Sequence, residues 1–404
     1  MVILDLIDAR EELPVTKSYV YMDNAWFGPI PTRAVEEMNR HHVQRSLEGM
    51  STAFSRRCFQ EREEAREAVA RFLNASPDEV AFTENATTSI NIVAQGLSWK
   101  EGENIVISDI EHSSGALPWV NIARRQRVEV RVAKADRNGM IEPQQVSELV
   151  DSRTRIVSLS HVAYSSGARL PIKEIAKIVH ERDALLVVDA AQSLGCLRVD
   201  LKELNCDFMA ATGHKWLMGP LGTGILFCRA EALEKLSPAM LGWNSTARHD
   251  FPQRLEYTLA EGCRRFEPGT PNFGGIVGLR SSLSFLESFG VAEIESRVES
   301  LTRRAAERLG EISGVNIFTP REWERRAGIL SFDVDGKDSS DVSALLEQIG
   351  RIVVGARTFR DKKVVRLGIH FYTTDEEVDG LAAAVGEIAE PGKTQYSIPS
   401  RVRR

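Results

Sequence analysis

The chain has 404 residues, 43% of them hydrophobic and 27% charged, and a formal charge of −6, enough length to bury a sizeable core as one large and one smaller domain. No apolar run approaches the roughly 20 residues of a membrane span, and no extended basic stripe offers the phosphate-dominated contact that nucleic acid requires. The five cysteines, Cys58, Cys196, Cys206, Cys228 and Cys263, form no CxxC pair, so free thiols are expected rather than a disulfide framework or a zinc site.

The first residues, MVILDLIDAREELP, have early acids and no basic n-region, which does not suit a signal peptide and points to a cytoplasmic protein with a small-molecule partner. From about Pro77 to Cys228, β-branched runs at 104–109, 128–134, 155–162, 184–190 and 224–229 alternate with helical patterns such as PIKEIAKIVHERD. That alternation predicts an α/β fold: a mostly parallel sheet covered by helices. A long amphipathic helix over 291–312 then leads into strands at 328–334, 350–357 and 363–371 and a helix at 339–350, a smaller α+β domain. The expected division is an N-terminal segment 1–25 packing with the small domain, a large domain 26–285, a small domain 286–391, and a polar, basic tail 392–404 without order.

In open parallel sheets a ligand sits at the carboxyl ends of the strands. Asp189 ends one such strand, His161 ends another, His112 follows a third, and Lys215 lies in the loop ATGHKWLMGPLGTG before the next. Most lysines are solvated surface charges. One held among small residues and glycines is poorly solvated, loses its proton more easily and becomes a nucleophile. Asp189, at the end of the apolar run LLVVDAAQ, needs a cationic or hydrogen-bonded partner to stay ionised. The protonated pyridine of pyridoxal 5'-phosphate would serve, since that cofactor asks for a carboxylate at its ring nitrogen and a lysine to hold its aldehyde. Nicotinamide binding is not indicated, because no G-x-G-x-x-G stands at a strand-to-helix turn and GPLGTG precedes a strand.

Seven blocks in order now carry a resemblance: YMDNAWFGPIP, ENATTSINIVAQGL, EHSSGALPW, SHVAYSSGARLPIKEIAKIVH, the long stretch from VVDAAQ through ATGHKWLMGPLGTGILF, RRFEPGTPNFGGIVGL and VVRLGIHFYTTDEEVDGL. The chain resembles the class V aminotransferase-like enzymes of fold type I, the group containing cysteine desulfurases, selenocysteine lyases and isopenicillin N epimerase. The resemblance implies that Lys215 holds the cofactor and moves protons at the substrate's α-carbon, that Asp189 pairs with the pyridine nitrogen and that Gln192 bonds the ring's phenolic oxygen. It implies that His112 stacks on the ring, although at residue level a histidine there also suits a helix cap. Thr87 and Thr88 at a helix start, with Thr212 and His214, would hold the phosphate. Thr270 of EPGTPN would reach it across a dimer interface, implying a homodimer with shared active sites. Arg366, followed by Tyr372 and Thr374, would hold the substrate carboxylate, a role suited to a planar, bidentate cation.

Two features depart from the desulfurase pattern. The stretch IVVGARTFRDKKVVR, where a persulfide-forming cysteine would be carried, has none, leaving only Cys58 or Cys263 to approach from elsewhere. Tyr164 stands where an asparagine is usual, and is expected to contact the cofactor oxygen or the substrate. Arg56, Arg57 and Arg169 read as structural or solvated, with a second substrate carboxylate as their alternative. The resulting expectation is a PLP-dependent enzyme on an α-amino acid, foremost a C–S β-eliminating lyase on a cysteine-like substrate. A class V aminotransferase or an epimerase is the alternative; a cysteine desulfurase or selenocysteine lyase ranks lower, and a non-catalytic cofactor-binding protein lowest.

Overall fold

The computed structural model describes residues 6–249 and 253–390; the expected tail 392–404 lies outside the described residues. Seven strands, β1 (Val80–Thr83), β2 (Asn104–Ser108), β3 (Glu129–Ala133), β4 (Thr154–Ser160), β5 (Leu185–Asp189), β6 (Phe208–Thr212) and β7 (Gly224–Cys228), form one sheet in the order β1-β7-β6-β5-β4-β2-β3. Strands β2 to β6 are joined by parallel pairings, while β7 is antiparallel to both β6 and β1. Every residue of β5, β6 and β7 is buried, as near-continuous apolar runs require when both faces are covered. Successive side chains divide between two cores. Leu186, Val188, Met209 and Ala211 face one, and Leu185, Val187, Phe208 and Ala210 the other, the period-2 alternation of a pleated strand.

The strand order reverses between β2 and β4. After β2 the chain turns outward to β3 and then returns on the opposite side, so the loops that follow β2 and β4 diverge and leave a crevice at their carboxyl ends.

A second sheet of β8 (Val315–Ile317), β9 (Ile329–Val334), β10 (Gly355–Phe359) and β11 (Lys362–Gly368) is antiparallel in the order β8-β9-β11-β10. It shares a core with the helices Val291–Gly310, Ser339–Gly350 and Asp375–Ala389. The run expected as one strand over 350–357 is two. Ile352–Val353 pairs in parallel with Val20–Tyr21, while Gly355–Phe359 joins the small sheet. Arg10 reinforces the docking of the N-terminal segment through Glu377 at 2.7 Å and the Tyr372 carbonyl at 2.9 Å. The boundary expected at 285/286 falls inside the unbroken helix Phe273–Phe289, which stops at Gly290 with φ +81°; we propose that the large domain gives way to the small one there.

The open edge of β1 is closed by a buried ion pair. Glu267 accepts from Arg66 at 2.7 Å and from the Phe82 N–H at 2.8 Å, and Arg66 also donates to the Val80 carbonyl at 2.6 Å. Edge groups that would otherwise invite another strand are thereby satisfied. Removing Glu267 leaves the buried Arg66 with only the partly exposed Glu63, at 3.0 Å, as a counter-charge, so Glu267→Ala is expected to cost about 2–4 kcal/mol in a denaturant titration. Replacing both Arg66 and Glu267 by apolar residues is expected to cost less.

Candidate active site

A cavity of about 230 Å³ opens at the carboxyl ends of β4, β5 and β6, lined by Trp26, Thr87, His112, Tyr164, Asp189, Gln192, Thr212, His214 and Lys215 among others. Thr87, Asp189, Gln192, Thr212 and His214, singled out for the cofactor, and Tyr164, singled out for the cofactor oxygen or the substrate, therefore converge with both candidate catalytic residues, Lys215 and His112, although they come from five separate segments of the chain.

Lys215 sits in a loop pinned by backbone bonds: Gly28 N–H to the His214 carbonyl at 2.8 Å, Met218 N–H to the Lys215 carbonyl at 2.9 Å and Gly213 N–H to the Thr223 carbonyl at 2.8 Å. A Cβ at Gly28 would lie 2.0 Å from the Lys215 carbonyl oxygen, so only glycine permits this approach. No carboxylate lies within ion-pair distance of the Lys215 amine among the described residues. Burial pushes its pKa down to about 8, against the opposing charge of Asp189. Asp189 is buried at the end of β5, its carboxylate accepting from the Ala191 N–H at 2.9 Å. Its pKa is raised by burial and held back by that hydrogen bond and by Lys215 and His112.

His112 does cap a helix: its Nδ1 accepts the Ser114 N–H at 3.1 Å at the start of Ser113–Gln126. The cap leaves the rest of the ring at the cavity, edge-on to Tyr164 with centroids 5.0 Å apart. Burial, then the charge of Lys215, lowers its pKa, which favours the neutral imidazole. The preceding residue, Glu111, was not anticipated. Its buried carboxyl accepts from Ser108 Oγ at 2.5 Å and from Ser160 Oγ at 2.5 Å, and burial pushes its pKa up to about 7. It ties β2 to β4 at the point where the strand order reverses.

The helix Ala86–Gly96 points its N-terminus at the cavity, with Ala86 and Thr87 on the wall. Thr88 is not on that wall, and its N–H is given to the Asn85 side chain at 2.9 Å to cap the helix. On the other side Thr212 Oγ1 and His214 Nδ1 are 2.8 Å apart, and burial lowers the His214 pKa to about 4. Thr270 is exposed and does not line this cavity. Arg56, Arg57 and Arg169 lie outside it as well.

Arg366 is fully buried and already engaged, donating to Asp23 at 3.0 Å and to the Tyr164 carbonyl at 3.0 Å, while its Nε has no acceptor. Asp23 is shared with a second cation, Arg357 of β10, at 3.7 Å. The Arg357 guanidinium stands 5.3 Å above the ring of Trp26, which is part of the cavity wall. Sequence reasoning missed Arg357 because it lies in VVGART, which carries no spacing signal; only the pairing of Gly355 with Arg366 across β10 and β11 brings the two arginines to one end of the small sheet. None of the five cysteines lines the cavity, and all are buried free thiols.

Comparison with known proteins agrees with this geometry. The chain matches the family described as Aminotransferase class-V over residues 20–381. It is 34% identical to a probable cysteine desulfurase of Methanothermobacter thermautotrophicus, covering 97% of this chain and 100% of that protein. Among solved structures, the apo cysteine desulfurase of Thermococcus onnurineus superposes with a TM-score of 0.89 at 30% identity, over 96% of this chain and 99% of that one. The cystine C–S lyase C-DES, in complex with its reaction product cysteine persulfide, superposes with a TM-score of 0.86 at 28% identity, over 93% and 99%. With the family matched along nearly the whole chain and the fold shared with these structures, the chain belongs to the class V aminotransferase family of fold type I pyridoxal phosphate enzymes.

Proposed function

We propose that this enzyme is a C–S lyase that acts by β-elimination on cysteine derivatives whose sulfur carries a second substituent, cystine foremost. The observation that carries this reading is the hairpin of β10 and β11. Phe359 pairs directly with Lys362, so only Arg360 and Asp361 form the turn, with Arg360 at φ +55°. A two-residue turn holds no lobe that would bring a sulfur-accepting cysteine to Lys215, and the hairpin offers Arg357 instead. The similarity to a cystine C–S lyase supports the same reading.

The residues fit pyridoxal phosphate: a lysine amine without an ion-pair partner, a buried carboxylate and a helix N-terminus all line one cavity. When bound, the cofactor supplies an electrophilic aldehyde and a ring that withdraws electrons from the substrate's Cα. In this reading Lys215 holds that aldehyde and then takes the Cα proton. Asp189 keeps the ring nitrogen protonated, and His112 covers the ring face while its cap fixes the imidazole plane. The helix N-terminus with Thr87, Thr212 and His214 holds the phosphate. The unpaired Nε edge of Arg366 orients the α-carboxylate, and Arg357 meets the carboxylate on the distal half of a disulfide substrate. With cystine and water the products are pyruvate, ammonia and cysteine persulfide, the Cβ–S electron pair leaving with sulfur. Thr270, exposed and off its own cavity, is assigned to the phosphate of a second copy in a homodimer. The free, buried thiols suit a reducing, cytoplasmic setting. No helix among the described residues is long and apolar enough to cross a membrane.

Product analysis by mass spectrometry tests the reading directly. Pyruvate and persulfide from cystine are expected, whereas alanine formed from L-cysteine would establish desulfuration and sink it. Arg357→Ala should raise KM for cystine about 10- to 100-fold, the value of one lost hydrogen bond to a charged group, with little change for S-methylcysteine, which has no distal carboxylate. A group with a lowered pKa is neutral above it. The rate at which the apoprotein captures pyridoxal phosphate, followed by absorbance, should therefore rise through pH 8 and level off, reflecting the Lys215 pKa of about 8. A rise delayed to the range of an ordinary lysine would show that the amine is not shifted.

A further inference from the structure

Trp216 follows the lysine directly, yet its indole lies wholly in the core. Its Nε1–H donates to Gln192 Oε1 at 2.8 Å, and Gln192 Nε2 donates to the Ala25 carbonyl at 2.9 Å. An indole N–H only donates and a carbonyl only accepts, so these two contacts fix which end of the carboxamide is oxygen and which is nitrogen. The oxygen is turned to the indole, one N–H is taken by Ala25, and one N–H remains on a side chain that lines the cavity.

The indole cannot shift to release this arrangement. A Cβ at Gly328 would lie 2.5 Å from its Cη2, and the Trp216 carbonyl accepts from His370 Nε2 at 3.0 Å. His370 is held as the neutral ring that protonates Nε2, because its Nδ1 accepts the Phe371 N–H at 2.9 Å. Gly328 and His370 flank the small sheet, so that sheet clamps the indole from behind.

We infer that Trp216 is a positioning residue: it turns the Gln192 carboxamide so that a single N–H donor faces the cavity, matched to the phenolic oxygen of a bound pyridoxal ring held as an anion. The inference rests on the reading that Gln192 meets that oxygen. Phenylalanine at 216 would keep most of the packing but free the carboxamide to rotate and present its oxygen, which repels a phenolate.

The visible absorption of the cofactor-loaded protein reads this directly, because the ratio of the long- to the short-wavelength band follows the protonation of the phenolic oxygen. Trp216→Phe should lower that ratio about two- to tenfold, as one lost hydrogen bond implies, and Gln192→Ala should lower it as well. The double variant should match Gln192→Ala alone, since Trp216 acts only through Gln192. An unchanged ratio in Trp216→Phe, or an additive fall in the double variant, removes Trp216 from the role and leaves Gln192 in place. An unchanged ratio in Gln192→Ala sinks the reading of Gln192 and the inference with it. If Trp216→Phe fails to load, Gln192→Glu decides: it keeps an acceptor for the indole but has no N–H, so its ratio must fall too, and an unaltered ratio overturns the inference.

Discussion

A lysine and an aspartate are held at one end of a single sheet without neutralising each other. Two buried, opposite charges in a low-dielectric site gain most by pairing, and keeping them apart is unfavourable unless a third group completes both. Burial lowers the Lys215 pKa and raises that of Asp189, so each is strained toward its neutral form. Much of the surrounding structure maintains this separation. Asp189 is fixed by β5 and by the Ala191 N–H, while Lys215 is fixed by a loop that Gly28 must approach too closely for any side chain. A group that offered an electrophile to the amine and a cationic nitrogen to the carboxylate would complete both, as proposed above for pyridoxal phosphate.

The second shared feature is the seam between the two sheets. Asp23 comes from the N-terminal segment, Arg366 and Arg357 from adjacent strands of the small sheet, and Tyr164 from the loop after β4. Burial alone would push the Asp23 carboxyl up, and the two guanidinium groups oppose that shift. The same ion cluster therefore joins three segments and places cations beside the cavity. Trp216 and His370 extend the seam behind the lysine loop, so the position of the small sheet bears on groups that line the cavity.

Much of this was legible from residue order. The alternation of apolar runs and helical patterns reveals the parallel sheet, because side-chain period and strand burial are local properties. That Lys215, Asp189, Gln192 and His112 would meet at one cavity was legible too, because each follows a strand end or a glycine-bounded loop and the spacing of their blocks resembles a known family. Thr88 stands off the cavity wall, and its N–H is given to the Asn85 side chain at the helix start, a local competition that residue order alone does not display. Arg366 was identified, but its partner Asp23 stands 343 positions away, and such a pairing leaves no mark in either neighbourhood. Arg357 and Glu111 escaped for the same reason, one made significant by strand register and the other by two serines on different strands.

Residue order was thus sufficient for the class of fold, the cofactor and most of the residues that line the cavity, because those depend on local pattern and on motif blocks that each carry their own chemistry. Tertiary structure alone decided how the charges are shared: which arginine already has a partner, which N–H of the helix start is free, which face the Gln192 amide presents, and that a two-residue turn stands where a cysteine-bearing loop would be needed. Those outcomes depend on distances between segments far apart in the chain, and electrostatic and hydrogen-bond energies are set by distance and burial rather than by position in the sequence.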